Sequence, residues 1–201
     1  MFYEPHERDK AVLPHDPMNA LVAPRPIGWI STLDGNGIPN LAPFSFANIV
    51  SSRTPILMFS SNGVKHSMVN ALASGEFVWN LATAALSEQM SQTSATVPVG
   101  VNEFELASLE TAPSRLVAPP RVAASPVAFE CRVTQSVQLR NLAGDELDQW
   151  LVLGQVVGVH LDERFILEDG RVDTAALQPL ARAGYLDEYA AVTEILHIER
   201  P

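Results

Sequence analysis

This sequence predicts a mainly β protein, an antiparallel barrel with a few short helices. Three observations carry that reading. About seven or eight runs have strand character, either alternating or short and continuously apolar. The two or three short helical segments do not alternate regularly with them, which argues against a doubly wound parallel sheet. The first two strands are joined by Asp34-Gly35-Asn36-Gly37, residues that tolerate positive φ and favour a hairpin.

Residues 1–22 hold Pro5, Pro14 and Pro17, with Pro24 just beyond. Proline fixes φ and removes a donor, so this stretch reads as a wrapping arm. It allows one helical turn over residues 16–21, capped by Asp16 and started by Pro17. Residues 23–201 form a single domain. Residues 27–33 alternate as a strand: Ile27, Trp29, Ser31 and Leu33 face one way, Gly28, Ile30 and Thr32 the other. Residues 40–48 resume the chain, and Pro43 makes this an edge or bulged strand. Residues 55–61 read as a buried strand.

Residues 65–74 are predicted as a helix with Val64, Met68, Ala71 and Leu72 on its apolar face. Gly75 is its stop. A strand over 76–81, a helix over 84–92 and a loop over 94–101 follow. Residues 125–139 give a clean strand, with Val127, Phe129, Cys131 and Val133 alternating against Ala128, Glu130, Arg132 and Thr134. After a turn at 141–148, residues 150–161 form a long apolar strand that Gly154 and Gly158 bend or bulge. A helical turn at 171–177 and a last strand over 191–198 complete the chain.

Composition narrows the chemistry. The net charge is −10 and no basic stripe offsets it, which speaks against nucleic acid. With one cysteine, Cys131, there is neither an internal disulfide framework nor a cysteine-cluster metal site. The N-terminus is polar and charged, unlike a secretory signal. No apolar run reaches the roughly 20 residues that span a bilayer, so the expectation is a cytoplasmic protein without a membrane segment.

One stretch concentrates polar groups. Between Ser45 and Ser67 lie Asn48, Ser51, Ser52, Ser60, Ser61, Asn62, Lys65 and His66. This set is rich in hydroxyls, poor in carboxylates and opens a helix. Helix N-termini hold anions such as phosphate, because their first N–H groups lack partners. From spacing alone, the same serines serve equally well to cap and turn the chain. Ser45 and Asn48 with Phe44 and Phe46 mix apolar and aimed polar groups as a cofactor ring requires, and they equally describe an irregular edge strand. The sequence has no GxSxG, HExxH or P-loop, and no carboxylate pair that stands out as acid and base. A cofactor would therefore carry any reaction.

The ordered set Arg25-Pro26, Ser31-Thr32, Gly37, Asn40-Leu41-Ala42-Pro43, Ser45-Phe46, Ser51 with Pro55, Lys65 and Gly75-Glu76-Phe77 with Asn80 resembles the flavin reductase-like family. The likeness continues through Phe104-Glu105, Phe129-Glu130-Cys131, Gly154, His160, Pro179-Leu180-Ala181-Arg182, Gly184 and Tyr189. It implies an FMN-binding split β-barrel, often dimeric with the flavin at the interface. It also implies reduction of flavin by NADH or NADPH, with an oxygenase as partner. By the same resemblance, Ser31, Thr32 and Asn48 lie near the ribityl chain or ring, and Ser45 and Phe46 add contacts partly through the backbone. Ser60, Ser61, Lys65 and Ser67 hold the phosphate, and His160 and Tyr189 stand on the substrate side. Two departures are visible. His66 stands where the family commonly has Asp, and Tyr185 where a second glycine often follows Gly184. An FMN carrier or sensor without turnover, or another flavin reaction on a small molecule, fits the same residues.

Overall fold

A computed structural model describes residues 1–199. The chain begins with a 3-10 turn at Pro5–Glu7, then α1 (Met18–Leu21), β1 (Arg25–Pro26), β2 (Gly28–Leu33) and β3 (Pro39–Phe44). Next come β4 (Ala47–Ser51), β5 (Ile56–Asn62), α2 (His66–Ser74) and β6 (Glu76–Leu81). A 3-10 turn at Ala84–Leu86 leads into α3 (Ser87–Gln92), followed by α4 (Glu103–Leu106), β7 (Thr111–Ala112) and β8 (Arg121–Val122). Two long strands, β9 (Val127–Arg140) and β10 (Glu146–Leu161), precede a 3-10 turn at Glu163–Phe165. The last elements are α5 (Thr174–Leu177), β11 (Leu180–Arg182) and β12 (Tyr189–Ala191).

The main sheet has seven antiparallel strands in the order β3-β2-β6-β9-β10-β5-β4. Its two outermost strands are consecutive in sequence, so the sheet curls into a split barrel. Phe44 on β3 meets Phe59 on β5 with ring centroids 4.8 Å apart, and Phe59 meets Phe77 at 5.4 Å. Two small sheets, β1-β11-β12 and β7-β8, lie outside this barrel.

Strand β2 carries apolar residues toward two separate cores. Ile30 joins Phe44, Phe59, Met68, Ala71, Phe77, Trp79 and Cys131 inside the barrel, beneath α2. Trp29, with Ile27 just before the strand, joins a separate cluster with Leu41, Met90, Phe104, Val122 and Leu180. The hairpin turn forms as expected, with the Asp34 carboxylate accepting from the Asn36 and Ile38 N–H groups at 2.8 Å each. Gly75 stops α2 in the left-handed region, φ 73°, and its N–H donates to the Ala71 carbonyl. Register shifts occur where Gly154 and Gly158 sit in β10. A Cβ on Gly154 would lie 2.4 Å from the Phe77 ring, so only glycine lets Phe77 fill the barrel there.

The structure corrects several local expectations. Residues 40–48 are not one strand: the chain bends at Ser45 and Phe46, and β4 starts on the opposite margin of the sheet. Pro43 does lie on an edge strand. Val64 and Leu72 are exposed, while Ser67 joins Met68 and Ala71 on the buried face of α2. A polar network waiting beneath Ser67 makes that burial tolerable. Only residues 189–191 of the C-terminal segment form strand, because β12 has a partner only as far as Leu180 on β11. Of the predicted strand over 191–198, only Ala191 is in a strand, and residues 192–198 are irregular chain.

Candidate functional site

The segment between β5 and α2 turns at Gly63, whose φ of 81° suits glycine. A Cβ there would also approach the Asp148 carboxylate at 3.3 Å. The turn delivers Lys65 to the N-cap of α2, where no side chain caps the helix. Lysine cannot accept a hydrogen bond, so the first-turn N–H groups have no side-chain acceptor. Lys65 is exposed and makes no ion pair among the described residues.

This helix start borders a cavity of about 360 Å³ that also meets Asn40, Pro43, Phe44, the loop Thr93–Val97 and Glu103. That volume lies within the roughly 300–1,000 Å³ typical of small-molecule sites. Its floor is a hydrogen-bonded network. Ser67 Oγ donates to Asn40 Oδ1 at 2.7 Å, and Asn40 Nδ2 donates to Glu103 Oε1 at 2.7 Å. The Leu41 N–H, on the free edge of β3, donates to Glu103 Oε2 at 3.0 Å. Asn70 Nδ2 reaches Thr32 Oγ1 at 3.2 Å, and Thr32 Oγ1 lies 3.4 Å from Asn40 Oδ1. On the far wall, Thr93 Oγ1 accepts from Trp29 Nε1 at 2.9 Å and donates to the Met90 carbonyl.

A second cavity, of about 480 Å³, lies across the sheet. Successive residues of β9 face opposite ways: Cys131 enters the barrel core, while Glu130 faces the loop that carries Arg115 and Leu116. Glu130 is fully buried. It accepts from the N–H groups of Arg115 (2.8 Å), Leu116 (2.6 Å) and Val117 (3.2 Å), and pairs with His160 Nε2 at 2.5 Å. Burial alone would push the Glu130 carboxyl up. The His160 hydrogen bond and the loop N–H groups outweigh it and hold the carboxyl below the ordinary range. Burial, with Glu130 beside it, pushes the Cys131 thiol far up, so this cysteine is inert.

Among the residues proposed from the sequence, Lys65 and Ser67 border one cavity, and Thr32 joins them through the buried network. The others do not line it. Ser31 is buried, with Oγ donating to the Pro120 carbonyl. Ser60 Oγ accepts from Gln149 Nε2 at 2.6 Å, and Ser61 Oγ donates to the Gly63 carbonyl at 2.7 Å. Asn48 is exposed, and its side chain accepts from the Ile49 N–H. Ser45 is half-buried at the bend, and Phe46 is exposed beneath the Arg25 guanidinium, 5.6 Å away. His160 lines the second cavity, whereas Tyr189 lies under Arg182 at 4.6 Å. Sequence reasoning assigned no role to Glu103, Glu130 or the 93–97 loop. The available signal was the Glu130 carboxylate set between Phe129 and Cys131 in a strand, which a partner must explain.

A family profile described as flavin reductase like domain matches residues 19–175. The chain belongs to the flavin reductase-like family. Curated relatives are an uncharacterized protein of Aquifex aeolicus, 35% identical over 82% of this chain and 83% of its own, and one of Bacillus subtilis, 35% identical over 92% and 91%. Nitrilotriacetate monooxygenase component B from Bacillus cereus superposes with a TM-score of 0.88 at 25% identity, covering 98% of both chains. Flavoredoxin of Desulfovibrio vulgaris shares the fold, with a TM-score of 0.77 at 22% identity over 88% of this chain and 91% of that one. These likenesses agree with the split barrel seen in this flavin reductase-like chain.

Proposed function

We propose that this protein is an FMN-dependent oxidoreductase that reduces flavin with NADH or NADPH. The observation that carries the reading is Lys65 at the uncapped N-terminus of α2, bordering a cavity of ligand size in a flavin reductase-like chain. Uncapped N–H groups and one unpaired cation match a phosphate in charge and hydrogen-bonding sense. The Glu103 carboxylate nearby accepts two hydrogen bonds, which tempers its repulsion of an anion.

Bound flavin would supply two-electron chemistry between a nicotinamide and an acceptor. Lys65 and the first turn of α2 would hold the phosphate. Asn40, Ser67 and Glu103 would keep the floor rigid. Ser67 would act chiefly through its N–H, since its hydroxyl proton is directed to Asn40. The family resemblance adds Ser60 and Ser61 toward the phosphate, and Ser31, Thr32, Ser45, Phe46 and Asn48 toward the ribityl chain and ring. It places His160 and Tyr189 on the substrate side. It also supports a cytoplasmic homodimer serving a partner oxygenase, with residues 23–201 as the flavin domain and residues 1–22 as an arm.

A carrier or sensor of FMN without turnover is the second reading, favoured by the separation of His160 and Tyr189 into different surroundings. Anaerobic addition of NADH, then NADPH, to the FMN-loaded protein decides between them. Bleaching of the flavin absorbance is expected. A protein that keeps its FMN and stays yellow with both donors is a carrier. Turnover of another small molecule but not of free flavin would point to a different flavin reaction.

A further inference from the structure

Arg25 on β1 and Arg182 on β11 are register partners, as are Arg182 and Tyr189 on β12. Directly opposed residues of antiparallel strands project to the same face, about 5 Å apart at Cβ. The small sheet therefore presents one row: Arg25, Arg182, Tyr189. Phe46 extends it, lying under the Arg25 guanidinium as Tyr189 lies under that of Arg182. Two cations stand side by side between two aromatic rings.

Like charges directly opposed destabilise a strand pair. Neither arginine has a carboxylate partner among the described residues, although the chain carries a net charge of −10. Arg25 donates to the carbonyls of Asn19, Val22 and Ala183, and Arg182 donates to that of Leu186. Among the described residues, just two buried side-chain polar atoms have no hydrogen-bond partner: Arg25 Nε and Arg182 Nη1. Burial, and then the adjacent Arg182 charge, pull Arg25 below its ordinary pKa. A bound anion would offset the two opposed charges, and guanidinium forks bind phosphate oxygens in pairs.

We propose that this row is a nucleotide site separate from the Lys65 cavity, with Arg25 and Arg182 holding a phosphate of the electron-donating dinucleotide and the aromatic rings flanking it. The assignment to the electron donor rests on the reductase reading; the anion site does not. FMN also carries a phosphate, so the test must separate the two ligands.

The probes are adenosine diphosphate, inorganic pyrophosphate and FMN, each titrated calorimetrically into wild type, Arg182→Gln and Arg182→Lys. NADH oxidation is measured alongside. The expected result is that Arg182→Gln weakens adenosine diphosphate and pyrophosphate tenfold or more. FMN affinity should stay within twofold, KM for the dinucleotide should rise and kcat should change less. Arg182→Lys should fall between, because it keeps the charge and loses the fork. Should Arg182→Gln fail to fold by circular dichroism, Tyr189→Ala takes its place, with adenosine diphosphate weakened more than pyrophosphate. Unchanged adenosine diphosphate and pyrophosphate binding overturns the site, even in an active reductase. Loss of FMN affinity in place of adenosine diphosphate affinity also overturns it. If wild type never oxidises NADH or NADPH yet loses adenosine diphosphate binding on substitution, the anion site stands and the reductase reading falls.

Discussion

Glu103 and Glu130 are both buried carboxylates, and they solve the burial problem differently. Glu103 accepts from an amide side chain and from the edge N–H of Leu41, and neither partner titrates. Glu130 accepts from three consecutive loop N–H groups and from an imidazole. One carboxylate seals a sheet margin beside the Lys65 cavity. The other fastens a loop to the opposite sheet face, and its hydrogen bonds hold its carboxyl below the ordinary range. A buried acid can thus seal an edge or clasp a loop, depending on its partners.

The largest expected effect comes from breaking the clasp. Glu130→Gln should lower unfolding free energy by about 3 kcal/mol, since it leaves several buried donors poorly matched. Urea denaturation at neutral pH measures it, and a loss no greater than that of Glu103→Gln would erase the distinction drawn above. Acid should act on the same clasp. The folded Glu130 carboxyl is held below its ordinary value, so its stabilisation is complete above the unfolded pKa and disappears as pH falls through the folded one. The wild type should therefore lose more stability than Glu130→Gln in that acidic window, and parallel curves would contradict the coupling. Glu103→Gln should cost about 1–2 kcal/mol, because its amide can match only one of the two donors. Smallest in stability is Lys65→Ala, expected within about 0.5 kcal/mol. FMN affinity in that variant should nevertheless fall roughly ten- to hundredfold, and an unchanged dissociation constant would remove Lys65 from the phosphate site.

Local signals were legible in the sequence. The alternation of residues 27–33, the Asp34–Gly37 turn, the Gly75 stop and the irregularities at Gly154 and Gly158 all depend on neighbours along the chain. The paired arginines join strands far apart in sequence, and no local pattern announces them. The Glu130–His160 pair is hidden for a related reason: register shifts near Gly154 and Gly158 spoil any count back from the hairpin turn. The hydroxyl-bearing residues are ambiguous for a different reason. A hydroxyl both donates and accepts, so composition does not reveal that Ser31, Ser60 and Ser61 also bond Pro120, Gln149 and Gly63.

The two margins of the main sheet are unlike. On β3 the Leu41 N–H is occupied by Glu103, whereas β4 pairs only with β5 and exposes Ile49 and Val50. The β4 margin is therefore the more open of the two to an added strand. If two copies join there, each offers the same margin, and the assembly closes on itself about a two-fold axis instead of growing into a fibre.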